Sequence, residues 1–177
     1  MSLARVSGML AHHGFELAGG VGLVFQPELG LRGSIAFWVA TAAADVLLAA
    51  TDRPGYGRWR AAVAGLALAG VAVHYVVWPW ELRLGLPRLT AAEGLRSEQL
   101  PMYDTILLGW AAAALAALVT DSGPGERRWA AAGFAAMPLL VGSARHHFRW
   151  IGEQARESPA WWNRAVQPDG PGPGRAA

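Results

Sequence analysis

Apolar residues run through this chain in long blocks parted by short charged turns. One block sets the scale. From Ala61 to Trp80 there is no Asp, Glu, Lys or Arg. At 1.5 Å per residue, a helix of about twenty residues reaches roughly 30 Å, the thickness of a bilayer's hydrocarbon core. Arg58, Trp59 and Arg60 mark one end, and Trp78, Trp80 and Glu81 mark the other. Trp favours membrane–water interfaces because its ring is apolar and its N–H seeks water. The pattern predicts a transmembrane helix, with Ala61, Gly65 and Ala69 as a ridge of small residues for close packing.

Four other blocks fit the same scheme. Residues 34–51 form a span that carries Asp45 and stops at Asp52-Arg53-Pro54-Gly55. Residues 105–120 form another, opened by Tyr103-Asp104. Residues 129–150 form a third, with a kink expected at Pro138. Like the first block, this one opens Arg-Trp and closes with His four residues before Trp (His74/Trp78, His146/Trp150). One span lies between the two blocks, so they should run parallel and bring their histidines to one depth. Ala-rich spans flanked by Arg and Trp also look alike without any internal repeat.

The fourth block, residues 8–25, is short and broken by His12, His13 and Glu16. Those breaks, and the lack of a convincing cleavage site, argue against a signal peptide. Five spans result if this segment crosses and four if it does not; five is the expectation. If it crosses, His12 and His13 should enter from the face opposite the 81–103 loop, with Glu16 near the middle. If it is re-entrant, all three could join the cluster on the loop's own face.

The remaining segments are polar or broken. Residues 81–103 are a long loop bearing Glu81, Arg83, Arg88, Glu93, Arg96 and Glu98, amphiphilic enough to lie on a membrane surface. Residues 151–166 read as an interfacial helix with Trp161-Trp162. The Gly/Pro-rich end, 167–177, reads as a disordered tail. The fold class is therefore all-α, an integral membrane helical bundle with a C-terminal interfacial helix and one domain over residues 1–166.

Composition supports this. The chain is 53% hydrophobic and 16% charged, below the roughly 25% of a soluble protein. Cysteine is absent, which excludes thiol catalysis, disulfides and thiolate metal sites. Lysine is absent too, so Schiff-base chemistry is out. All 15 basic side chains other than His are Arg. No basic cluster is dense enough for nucleic acid. The expected surroundings are membrane lipid, in a cell membrane of prokaryotic type. The positive-inside rule hardly decides orientation, because both faces carry similar numbers of Arg.

Ionisable residues within spans are costly and mark functional candidates. The face bearing the 81–103 loop, the lid face, should collect His74, Asp104, His146 and His147, with Tyr103 beside them. Three functions follow from this inventory. The first is a membrane-embedded enzyme acting on a lipid or isoprenoid-like hydrophobic substrate by acid–base catalysis, with Glu16 or Asp104 as acid and a His, such as His13 or His74, as base. The second is a haem b or metal site with His74 and His146 or His147 as ligands; which metal is open. The third is a non-catalytic scaffold subunit whose polar groups fix helix packing. No H-E-x-x-H, phosphate loop or repeated His box is present.

Overall fold

The computed structural model describes residues 1–167 apart from Asp52, Pro54 and Glu93. It is predominantly helical. The elements are α1 (Ser2–Gly19), α2 (Gln26–Ala50), α3 (Tyr56–Val77), a hairpin of β1 (Trp80–Arg83) and β2 (Leu86–Leu89), α4 (Leu100–Thr120), α5 (Trp129–Phe134), α6 (Met137–Glu157) and a closing 3-10 helix (Trp161–Val166). Three helices, α2, α3 and α4, are long and apolar enough to cross a membrane. Their surfaces match that composition. In α2 the buried side chains are polar or small, Gln26, Ser34, Ala42 and Asp45, while Val39 and Leu47 face outward. Water would penalise that arrangement; lipid would not.

Helix α1 starts at Ser2, one and a half turns earlier than the apolar pattern alone implies. The Ser2 N–H and Oγ donate to Asp121 at the end of α4, at 2.8 and 2.6 Å. Partial burial works to raise the Asp121 pKa, but hydrogen bonds from Ser2 and Thr120 outweigh it and bring it down to about 2. From there α1 runs antiparallel to α4. Gly8 lies against Trp110, where a Cβ would collide with the Cα, Cβ and indole edge of that residue. Glu16 meets Tyr103. Gly20, with φ +86°, ends the helix and its N–H returns to the carbonyls of Glu16 and Leu17. The chain reverses through Gly22, the Gln26 side chain accepts the Leu23 N–H, and α2 turns back after a break at Gly30.

The ridge of small residues on α3 is buried as expected, with Ala61 and Ala69 at 0% exposure. It meets small residues on α5: Gly65 abuts the Ala130 carbonyl and Gly133 abuts Ala62. The span predicted over 129–150 is broken at Ala135–Ala136, and Pro138 lies in the first turn of α6. Trp78 at the end of α3 packs on Phe148 of α6, ring centroids 4.8 Å apart. The two elements thus run parallel, as the topology requires.

Two expectations need correcting. The 81–103 segment contains an antiparallel hairpin, with Trp80 paired to Leu89 and Arg83 to Leu86. Leu84 and Gly85 both have positive φ at the turn, the geometry that suits a two-residue hairpin. The interfacial helix over 151–166 is likewise not one element. Ile151–Glu157 completes α6, with Ile151 fully buried, and only Trp161–Val166 forms the short closing helix. The tail assigned to 167–177 lies, beyond Gln167, outside the described residues.

Candidate functional site

The early start of α1 decides where its polar residues sit. Because more than two turns precede it, His12 is already deep, and Glu16 lies one turn from the lid-face end. The segment therefore runs the length of its neighbours, yet its histidines join the lid-face side. The two were expected to exclude each other. The error lay in starting the helix at Gly8.

Glu16 is the centre of the cluster. Tyr103 donates its hydroxyl proton to Glu16 Oε1 at 2.6 Å. His74 Nε2 stands 3.8 Å from the same oxygen. His12 Nε2 and His13 Nδ1 each stand 3.5 Å from Oε2. Helical spacing supplies the last two contacts, since His12 and His13 are four and three residues before Glu16. His74 and Tyr103 come from α3 and α4. His12, His13 and Glu16 are 3, 7 and 5% exposed. His74 Nδ1 lies 3.2 Å from the Val71 carbonyl; donation there leaves Nε2 as the basic nitrogen facing Glu16. His12 Nδ1 and both His13 nitrogens are buried with no hydrogen-bond partner among the described residues.

Aromatic rings pack around this cluster. His12 stacks on Trp110 at 5.4 Å and His13 lies over Trp38 at 3.8 Å between centroids. Beside it opens a cavity of about 370 Å³ between α1, α2, α3 and α6. Its polar wall is His12, His13, Glu16 and His74, with Arg5, Asp45 and Thr41 further along; most of the rest is apolar, including Met9, Val73 and Phe148. Phe37 and Leu66 line it while remaining 41% exposed. The cavity therefore reaches the apolar flank of the molecule. Trp38 and Trp110 also line it, and their buried indole N–H groups have no partner among the described residues. A mostly apolar cavity with a few convergent polar groups is the usual form of a small-molecule site.

Of the candidates named from sequence, Glu16, His13 and His74 come together. Asp104 does not join them. Its carboxylate accepts the Leu89 N–H at 3.2 and 3.3 Å, with Tyr75 Oη at 3.5 Å, and so ties the hairpin to α4. His147 and His146 are not brought onto His74 either. His147 Nε2 lies 3.0 Å from the Val21 carbonyl, and His146 is exposed with Glu28 3.6 Å away. Adjacent residues on a helix point about 100° apart; here His147 is buried and His146 is exposed. Arg5 was missed. It is 1% exposed and grips Asp45 through Nε, at 3.1 Å, and Nη2. Its signal was Asp45 itself, a buried carboxylate that needed a cation. No protein-family model matches this chain, and neither a curated protein nor a solved structure matches it.

Proposed function

We propose that the chain is a multi-pass membrane protein of five crossings, with α1 and the α5–α6 pair joining the three apolar helices. We further propose that it is a small membrane-embedded enzyme. Its chamber takes a lipid or isoprenoid-like molecule from the bilayer, and acid–base chemistry takes place at the substrate's polar end beside Glu16. The observation that carries this is the convergence of His12, His13, His74 and Tyr103 on one buried carboxylate in the wall of an apolar cavity. Burying a carboxylate and three imidazoles costs several kcal/mol on an order-of-magnitude scale. Packing alone would be served better by apolar side chains. Glu16 and His74, with Nε2 facing the carboxylate, are the proton-transfer candidates. Tyr103 positions the carboxylate.

The test is the content of the chamber. Protein purified in mild detergent should carry an extractable apolar molecule, detected by mass spectrometry of the organic extract. Ala144→Phe, which places a ring in the cavity, should lose that molecule at unchanged thermal stability. Glu16→Gln should keep it, and membranes containing that variant should accumulate the unreacted compound. An empty wild-type chamber, with no binding of added prenyl or acyl lipids, would remove the proposal.

A further inference from the structure

The geometry points to a divalent metal ion of the zinc class held by His12 Nε2, His13 Nδ1 and Glu16 Oε2. This rests on the chamber wall being the functional site and names the cofactor it uses. His12, His13 and Glu16 each offer a ligand atom within 4.8 Å of the other two, and His12 Nε2 and His13 Nδ1 each stand 3.5 Å from Glu16 Oε2. Zinc bonds of about 2.0–2.1 Å at tetrahedral angles place neighbouring donors about 3.3–3.4 Å apart. The two carboxylate–imidazole separations lie within a few tenths of an ångström of that spacing.

The donor chemistry agrees. Two imidazoles and one carboxylate suit zinc and its neighbours, and in a Cys-free chain no thiolate competes. Three protein ligands are the number that catalytic zinc sites keep, with the remaining position turned to substrate. Here all three ligand residues line the chamber, so a substrate in it would be within reach of such an ion. The outer contacts fit as well. Metal-bound carboxylates are held by hydrogen bonds from behind, and Tyr103 supplies one to the other Glu16 oxygen. Of the unpartnered buried nitrogens, His13 Nδ1 is itself one of the proposed ligands, and coordination would give that lone pair a partner. Bound there, such an ion polarises an oxygen or activates a water at neutral pH. His74 is not a ligand in this assignment; it stands beside Glu16 Oε1.

The experiment uses the full chain, free of any affinity tag, purified from zinc-replete cells. Elemental analysis should find about one zinc per protein. After chelation, added Co(II) should give the visible absorption of a four- or five-coordinate ion, and added zinc should raise Tm. His13→Gln and Glu16→Gln should lose stoichiometric metal and the Tm response. His74→Gln should retain both. Tyr103→Phe, which removes only the outer hydrogen bond, should weaken metal binding about 10–100-fold. Folded wild-type protein without metal, without a Co(II) band and without a Tm response would overturn the inference. So would equal metal binding by His13→Gln and wild type. If such metal-free protein still holds an apolar molecule that Ala144→Phe loses, the metal assignment falls and the chamber stands.

Discussion

At the residue scale, the buried groups divide by whether their hydrogen-bonding capacity is met. Arg5 and Asp45 form a closed pair: Nε and Nη2 reach both carboxylate oxygens, and Nη1 reaches the Arg60 carbonyl at 3.4 Å. Nothing in that pair is left to react, so its work is to join α1 to α2. Removing one partner of a buried pair strands the other charge, at a cost of about 3–5 kcal/mol. Asp45→Asn is therefore expected to lower Tm in detergent sharply. Arg5→Met with Asp45→Leu should recover most of the loss. Equal destabilisation in single and double variants would mean that the attachment of α1 does not depend on this pair. The Glu16 cluster has the opposite character: His12 Nδ1 and both His13 nitrogens have no hydrogen-bond partner among the described residues, and both rings belong to residues that line the cavity, which is why the proposed chemistry is assigned there.

At the element scale, the contact between α3 and α5 depends on having no side chain at two points. A Cβ on Gly133 would strike the Ala62 carbonyl and the Leu66 nitrogen, and backbone cannot yield as a flexible side chain can. Gly133→Leu should destabilise the fold by roughly 3 kcal/mol, the upper end for overpacking. Gly142→Leu is the control, since a Cβ there meets nothing within 4 Å, and its thermal midpoint should not fall. The ridge on α3 was legible because small residues four apart leave a groove on any helix. Its partner was not, because the block over 129–150 reads as one continuous apolar span. The hairpin was hidden for a different reason. Leu84-Gly85 is not a strong turn signal, and Pro87 argues against a strand. The strands owe their place to the Asp104 carboxylate that receives the Leu89 N–H.

At the scale of the whole molecule, the direction of each helix sets which residues meet. Accessibility to a membrane-impermeant thiol reagent checks those directions in this Cys-free chain. Leu84→Cys, at the hairpin tip, should label from one side of an oriented membrane. Arg53→Cys and Gly125→Cys should label from the other. Leu84 is 99% exposed and a Cβ on Gly125 meets nothing, so neither substitution should disturb packing. Labelling of all three from one side would remove the five-crossing arrangement.

The sequence by itself determined that the chain is predominantly helical and built of long apolar blocks, of which it counted five where three helices are long and apolar enough for a bilayer, and it put Glu16, His13 and His74 among its candidates together with Asp104, His146 and His147. These follow from local quantities: hydropathy, length, and the cost of an ionisable group in an apolar run. Only the tertiary structure decided that Glu16 is the hub, that Asp104 is committed to the hairpin, and that His146 faces out while His147 is tied to a carbonyl. Those outcomes depend on the start of α1 at Ser2 and the break before α6. A shift of one turn moves a side chain about 5.4 Å along its helix, more than the distance separating Glu16 from any of its partners.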